Sequence, residues 1–497
     1  MGLTQESISL MPENMLPRLP QGDSSLISAL SQSLSFHSSP ESFISTRARN
    51  TAALHSSNAA GKEETASQIP TVVRARILNR NVAVVSSHRL CEDILRVGNG
   101  EPQKTVTAIT MGEMIGPNTF AIRPAYHELM SDFFPPPNIL LLDSPDHAAK
   151  RKAWDEQLSS IPSETSIEVQ EIVDDHIKSW PSESTIDLYE SMKDLSWRVL
   201  LCIFLQLRLT DKKYSLVESL QEKLLRGQFS LFPVSIHTPF WRSPRSKAIE
   251  ARRELQKLLK DHISQQDKGC PFLQKGKIDE DELASNAILF TSSIAVKALA
   301  SLLTASLLNL FLLPCEPTLA SRVRKEGSQN GQILLSSILL ETERLSPPVV
   351  GIMRRAQQDV ILAAPEGQPP ILVPAGWDVW LYFVSAGRDP AAYELADTFL
   401  PERFISANET RDNFAFGGSG PKVCLGRGVI RHIISTVATK IVDADIRLEG
   451  SVAAEGVRGW LGWDSGVGVD AFARDLKQLP CQRPKEAIRI LVHRGRG

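Results

Sequence analysis

The sequence predicts a mainly α-helical fold with small β-sheets. Helical spacing of apolar residues fills most of Asp143 to Thr304, strand-like alternation is confined to two short regions, and a long irregular run precedes the last helix. Residues 1–38 are polar and Ser-rich without a strong period, and read as a loosely packed extension to a single domain over 39–497. Pro40, after two serines, suits the first turn of a helix. The run from Thr71 to Ser87 alternates, carries β-branched residues around Asn79-Arg80-Asn81, and reads as a hairpin. The segments HAAKRKAWDEQL, SIEVQEIVDDHIKSW and AIEARRELQKLLKDHI follow as amphipathic helices, broken at clusters such as FFPPPN. The apolar run Ala298–Pro314 is just short of a comfortable membrane span and lies mid-chain behind Lys297. A buried central helix explains it better. The helix GQILLSSILLETERL, short strands around ILVPAGWDVWLYFV, the irregular stretch and a final helix complete the chain.

Composition removes several function classes. The chain has 497 residues, hydrophobic 42% and charged 23%, the profile of a soluble globular protein. A net charge of −2 lacks the basic excess that a nucleic-acid partner would favour. The six cysteines (Cys91, Cys202, Cys270, Cys315, Cys424, Cys481) form no zinc-type spacing and no disulfide framework. The first residues show neither a signal pattern nor a transmembrane anchor. The expected location is cytoplasmic, at most peripheral to a membrane.

One cysteine stands apart. In FAFGGSGPKVCLGRG, Phe414 to Gly428, glycines precede Cys424 and an apolar helical pattern follows it. Glycine-rich backbone can approach a flat cofactor closely. A thiolate at a helix N-terminus is stabilised by free N–H groups and the positive end of the dipole. An anionic sulfur bound to haem iron needs both conditions. The same segment also reads as a turn before a helix with an incidental buried cysteine.

The segment resembles the cysteine-ligand loop of the cytochrome P-450 superfamily, FxxGxRxCxG, through Gly420, Cys424 and Gly426. Lys422 stands where the family has Arg, keeping the charge but losing the bidentate fork. The Phe position holds Gly417, with Phe416 one place earlier. Other matches fall in family order. Glu341-Thr-Glu-Arg344 is similar to the ExxR helix, and Pro401-Glu-Arg403-Phe to the PERF segment. Together these imply a buried Glu341–Arg344–Arg403 ion triad. Gly387-Arg-Asp-Pro390 matches the RDP turn, and Asp143-Ser-Pro-Asp-His147-Ala-Ala-Lys-Arg151 resembles DPPEHxxxR. The resemblance implies haem b with Cys424 as axial ligand, held between a central helix and the cysteine loop. It implies His147, Arg151, Arg354 and Lys422 near the haem propionates, with Phe416, Gly418 and Gly426 shaping the loop.

What the haem would do stays open at this level. Family monooxygenases carry an acid–Thr pair on the central helix, and Ile294 and Ala295 fall there. Protons would then come from Thr291, Ser292, Ser293 or water. Alternatively, those hydroxyls merely cap helical carbonyls. The leading expectation is a monooxygenase oxidising a lipophilic secondary-metabolite-type molecule, fed by an NADPH-dependent flavoprotein reductase. A basic face at Lys422, Arg427 and Arg431 would dock that reductase. Two other readings stand beside it. One is a reductase-independent enzyme that rearranges hydroperoxides or endoperoxides, like allene oxide synthase; the other is a haem-binding protein without turnover. The substrate pocket is expected from the Val97–Phe134 region, the central helix and Val349–Ile352.

Overall fold

The computed structural model describes residues 25–57, 71–77, 80–97, 108–109, 118–230, 234–236, 238, 240–265, 272, 278–362, 371–405, 413–418, 420–444, 446–450 and 476–494. Fifteen α-helices occur among the described residues: α1 (Leu26–Ser38), α2 (Pro40–Ser57), α3 (His88–Arg96), α4 (Arg123–Met130), α5 (Asp146–Ser159), α6 (Ile161–Glu164), α7 (Ser166–Ser179), α8 (Leu188–Leu205), α9 (Lys212–Gln228), α10 (Pro244–Gln265), α11 (Glu280–Phe290), α12 (Ser293–Leu312), α13 (Leu319–Leu345), α14 (Phe383–Ala386) and α15 (Arg427–Asp443). Thirteen short strands accompany them. The largest sheet joins β1 (Val72–Ile77), β2 (Arg80–Val85), β9 (Asp378–Tyr382), β6 (Gly351–Ala356) and β4 (Phe120–Ala121), in that order. Smaller sheets join β3 (Ala108–Ile109), β7 (Val360–Leu362) and β8 (Ile371–Val373); β10 (Ile446–Gly450), β13 (Arg489–Arg494) and β5 (Ser184–Asp187); and β11 (Leu476–Lys477) with β12 (Arg483–Pro484).

The hairpin read from the alternating run is present, with Ile77 opposite Arg80. Its connecting residues 78–79 lie outside the described residues. Pro40 opens α2 as its fixed φ favours. The apolar run is a core helix: residues from Val296 to Phe311 on α12 sink into one large hydrophobic cluster. It is the one described helix long and apolar enough to cross a membrane, but it is mostly buried inside the protein.

Two expectations need correction. Leu26–Ser38 is a helix, not a loose tail: Ser25 caps it and Phe36 packs edge-on against Trp380 at 4.7 Å. Serine spacing hid that packing face. Residues 1–24 lie outside the described residues. The central helix also is not one rod. It breaks at Thr291, and α12 restarts with Ser292 as its own N-cap.

Candidate functional site

The cysteine loop is shaped by left-handed backbone. Gly417, Gly418 and Gly420 have φ of 84°, 68° and 111°, a region that a Cβ disfavours. A Cβ on Gly420 would sit 2.3 Å from the Leu95 carbonyl oxygen, so the loop lies directly on the end of α3. The Cys424 N–H donates to the Phe416 carbonyl at 2.8 Å and closes the turn. Three residues later, at Arg427, α15 begins. The Cys424 side chain is accessible although protein surrounds it, so it faces an internal space. Burial pushes its thiol pKa up. The Gly426 amide, the charges of Arg151 and Arg427 and the Arg427 amide pull the other way, toward thiolate.

Basic side chains gather on one side of this loop. His147 and Arg151 stand one turn apart on α5, Arg354 is on β6, and Lys422 is two residues before the cysteine. His147, Arg354 and Lys422 line one cleft together with Asn118 and Asp143. Arg354 is 4% exposed and donates to the Met353 carbonyl at 3.0 Å; burial pulls its guanidinium pKa down. Burial, then the Lys422, Arg151 and Arg354 charges, push His147 down to about 3, so it is a neutral imidazole at neutral pH. Lys422 is lowered to about 8, chiefly by burial. It donates to the Leu142 carbonyl and lies 3.6 Å from Asp143, whose carboxylate also accepts the Ile122 and Arg123 amides. Crowded, half-desolvated cations beside an accessible thiol suit a planar dianionic ligand that bears two carboxylates and a thiolate-seeking metal. The residues present therefore fit a haem.

Arg151 has a different task from the one expected. Its guanidinium binds Asp155 at 2.9 Å and donates to the carbonyls of Val423 at 2.6 Å and Pro421 at 3.3 Å. It clamps the cysteine loop to α5. Phe416 is buried, contributing its carbonyl to Cys424 and its ring to a stack under Arg431 at 5.4 Å. At Gly418 a Cβ would meet Leu95 and Phe414, so its smallness serves packing on α3. Gly426 has ordinary space around it and acts through its amide.

The hydroxyls expected to relay protons are engaged elsewhere. Thr291 is fully buried; its Oγ1 donates to the Ala287 carbonyl at 2.7 Å and accepts from Gln221 Nε2 at 3.2 Å. Ser292 Oγ accepts from the Ala295 amide as the α12 N-cap. Ser293 donates to Glu222 at 2.5 Å, and Lys297 completes that cluster at 3.0 Å from the same carboxylate. Thr291 and Ser292 thus satisfy backbone groups at a helix break, the alternative that the sequence left open beside a relay. Between Leu289 and Ala298 the partly accessible side chains are Leu289, Phe290, Ile294, Ala295, Lys297 and Ala298. Apart from Lys297, that surface is apolar.

The ion triad forms as the resemblance implied. Glu341 and Arg344 make a bidentate pair at 2.7 Å with both side chains at zero exposure. Arg403 Nε sits 3.1 Å from each Glu341 oxygen, and the Leu400 amide adds a bond at 3.0 Å. Arg344 also donates to the carbonyls of Gly387, Ala396 and Thr398. Asp389 of the RDP turn accepts from the His88 amide at 2.8 Å.

Several participants were missed. Tyr393 lies under the Arg344 guanidinium and bonds His88 at 3.2 Å. Glu343 holds Arg431 at 2.6 Å and Asn413 at 2.8 Å, fixing α15 to α13; it was visible as the inner acid of ExxR. Glu282 on α11 binds Trp154 and Lys150 of α5 without any sequence signal. The supposed basic docking face is also corrected. Lys422 turns into the cleft and Arg431 is neutralised by Glu343, because both charges serve the fold. Of the expected pocket, 98–107 and 110–117 lie outside the described residues.

The Cytochrome P450 family model matches residues 330–444, the stretch from the triad helix through the cysteine loop to α15. Cytochrome P450 76AD1 of Beta vulgaris is 34% identical over 24% of this chain and 24% of its own length. Ferruginol synthase of Salvia fruticosa is 32% identical over 26% of each. Probable cytochrome P450 12d1 proximal, mitochondrial, of Drosophila melanogaster is 27% identical over 42% and 44%. The chain thus matches a quarter to under half of these relatives' lengths. Retinoic acid-bound cyanobacterial CYP120A1 superposes with a TM-score of 0.63 at 19% identity, covering 86% of this chain and 92% of that one. Cytochrome P450EX alpha (CYP152N1) with myristic acid gives 0.62 at 14% identity over 93% and 97%. In sequence the motif-bearing stretch 330–444, under a quarter of the chain, matches the Cytochrome P450 family model, and most of the chain superposes on cytochrome P450 structures, so motifs and fold together support the cytochrome P450 superfamily.

Proposed function

We propose that the protein is a haem-thiolate oxidoreductase, most simply a monooxygenase acting on a lipophilic small molecule of secondary-metabolite type. The observation that carries this reading is the accessible Cys424 thiol, aimed at an internal space with the Gly426 and Arg427 amides behind it. In this reading haem b binds with Cys424 on the iron, and Lys422, Arg354 and His147 hold its carboxylates. The haem, when bound, supplies the oxidising equivalent. The chain's residues do the rest. Helix-end amides favour the anionic form of the sulfur against the pull of its burial, Arg151 fixes the loop that presents it, and the apolar Ile294–Ala295–Ala298 surface favours apolar substrate while repelling water. An NADPH-dependent flavoprotein would deliver electrons, and the location would be cytoplasmic, peripheral to a membrane at most. The 1–38 and 39–497 division stays part of this proposal.

A second reading is favoured by the engaged hydroxyls of Thr291, Ser292 and Ser293. An enzyme that takes a ready-made peroxide needs no proton relay and no reductase. The deciding assay mixes purified haem-loaded protein with a fatty-acid hydroperoxide, without oxygen or reductant. Rapid loss of the peroxide with an unchanged resting spectrum sinks the monooxygenase. No loss, with a thiolate-type red-shifted band after dithionite and carbon monoxide, supports it. A protein that reduces normally but consumes nothing across a broad panel would be a haem binder without turnover.

A further inference from the structure

One charge interrupts the accessible face of α12. Ile294, Lys297 and Ala298 stand at i, i+3 and i+4 and are partly accessible, whereas Leu299 to Phe311 are all buried. Lys297 is the single charged residue that α12 carries.

Its position is defined from two sides. From α9, the two oxygens of the Glu222 carboxylate accept from the Lys297 ammonium at 3.0 and 3.1 Å, and the Ser293 hydroxyl donates to the same group at 2.5 Å. On the other side stands Cys481, in the turn between β11 and β12. Burial pushes its thiol up to about 11, and the charges of Arg483 and then Lys297 pull it back, so the ammonium lies near this turn. The turn is in turn tied to the segment expected to line the pocket. The Gln482 amide donates to the Pro348 carbonyl at 2.8 Å, and Val349, Gly351 and Ile352 just beyond are partly accessible. Lys297 thus stands where α12, α9 and the start of β6 converge.

The charge balance of this corner decides what it can hold. Burial raises the Glu222 carboxyl, but its bonds with Ser293 and Lys297 outweigh that and hold it below its ordinary value. It is therefore anionic at neutral pH and cancels the charge of Lys297. Around the pair, Lys193 and Glu218 add one charge of each sign. An ammonium carries three N–H donors, and one carboxylate engages at most two of them. The two side chains keep 16% and 30% exposure, so the pair is not sealed off. The corner offers a hydrogen-bond donor without a spare positive charge. A carboxylate brought there would meet Glu222 as a like charge. A neutral oxygen meets no such opposition, and it gains a charge-assisted hydrogen bond in an otherwise apolar wall.

Given the haem-thiolate reading above, on which this rests, we propose that Lys297, held by Glu222, positions the substrate. Its ammonium donates a hydrogen bond to a neutral carbonyl or hydroxyl oxygen at one end of an otherwise apolar molecule.

The test measures binding of decane, methyl octyl ketone and decanoic acid to the haem-loaded full chain by equilibrium dialysis. Lys297→Met should weaken ketone binding by about tenfold to a hundredfold and leave decane within about twofold. Lys297→Arg, which keeps a charged donor, should retain most of the ketone affinity. Glu222→Gln removes the competing carboxylate, so decanoic acid should bind several-fold tighter than to wild type. No ketone binding to wild type, or ketone binding indifferent to Lys297→Met, would overturn the proposal. So would equal weakening of ketone and decane, which is what a merely structural ion pair gives, or decanoic acid unmoved by Glu222→Gln. A thiolate-type reduced carbon-monoxide band in each variant shows that the loop and its haem survived. A wild type without that band would refute the haem-thiolate reading itself, whereas band-positive protein with unselective binding refutes only the role of Lys297.

Discussion

Replacing Glu341 by Gln tests the centre of the structure with one atom. The carboxylate accepts from Arg344 Nε and one Arg344 terminal nitrogen, from Arg403 Nε and from the Leu400 amide, at zero exposure. Glutamine keeps the volume, removes the negative charge and turns one acceptor into a donor facing N–H groups. Two guanidiniums then stay side by side in the interior without a counter-ion. Stripping one partner from a buried pair costs about 3–5 kcal/mol. A domain of ordinary stability has about 5–15 kcal/mol in total. Arg344 keeps its three carbonyl acceptors, so the loss should fall toward the lower end of that range. The assay is urea unfolding of wild type and Glu341→Gln, followed by far-ultraviolet dichroism and by the haem band. Both transitions should move together to lower denaturant. Arg344→Lys, which keeps the charge but loses the fork, should fall between the two proteins. A Glu341→Gln protein within about 1 kcal/mol of wild type would refute the reasoning, because the triad would then be no better than its hydrogen bonds to carbonyls.

Other consequences are equally concrete. Gly420→Ala places a Cβ at φ 111° and 2.3 Å from the Leu95 oxygen, so it should cost at least about 1–3 kcal/mol and weaken haem retention, measured by denaturant midpoint and haem content. In haem-free protein His147 has a folded pKa near 3 against an ordinary 6.5. Above pH 6.5 both states are neutral and its contribution is complete. As pH falls toward 3 the unfolded chain binds the proton first, and stability drops by about 1.4 kcal/mol per unit. His147→Gln should therefore lose about 2 kcal/mol less than wild type between pH 7.5 and 5 in thermal melts; parallel losses would show that other groups set the acid limb. Thr291→Val should change turnover by less than about threefold, since its hydroxyl serves Ala287 and Gln221. A fall of about a hundredfold would restore it as a relay.

Much of this site was legible because its chemistry is tied to residue type at fixed spacing. Glycines before Cys424 and the Glu341–Arg344–Arg403 set could be read directly, and the structure assembles the triad. Positions whose role depends on direction were not legible. Thr291 and Ser292 look like relay hydroxyls in a string, but a helix break turns them into caps and leaves Ile294 and Ala295 as part of the accessible surface. Arg151 reads as a propionate contact and Arg431 as part of a docking face; their partners in the structure, the Val423 carbonyl and Glu343, are brought in by tertiary packing. Serine content disguised α1 because its burial rests on a few residues such as Ala29 and Phe36. Glu282 and Gln221 meet partners on other helices, and no local pattern marks such contacts.

The Arg151 clamp also bears on how the chain reaches its native state. Its bond to the Val423 carbonyl joins residues 272 apart, and the Lys422 bond to Leu142 joins residues 280 apart. Neither can close until distant parts of the chain have come together, so the cysteine loop is among the late arrivals in folding. A ligand that binds only the finished loop then acts by mass action on the last step of folding, holding shut a crosslink that is slow to find. Cells starved of that ligand should accumulate a chain with intact outer helices and a loose end around residues 413–426. That loose segment is where a protease would first cut.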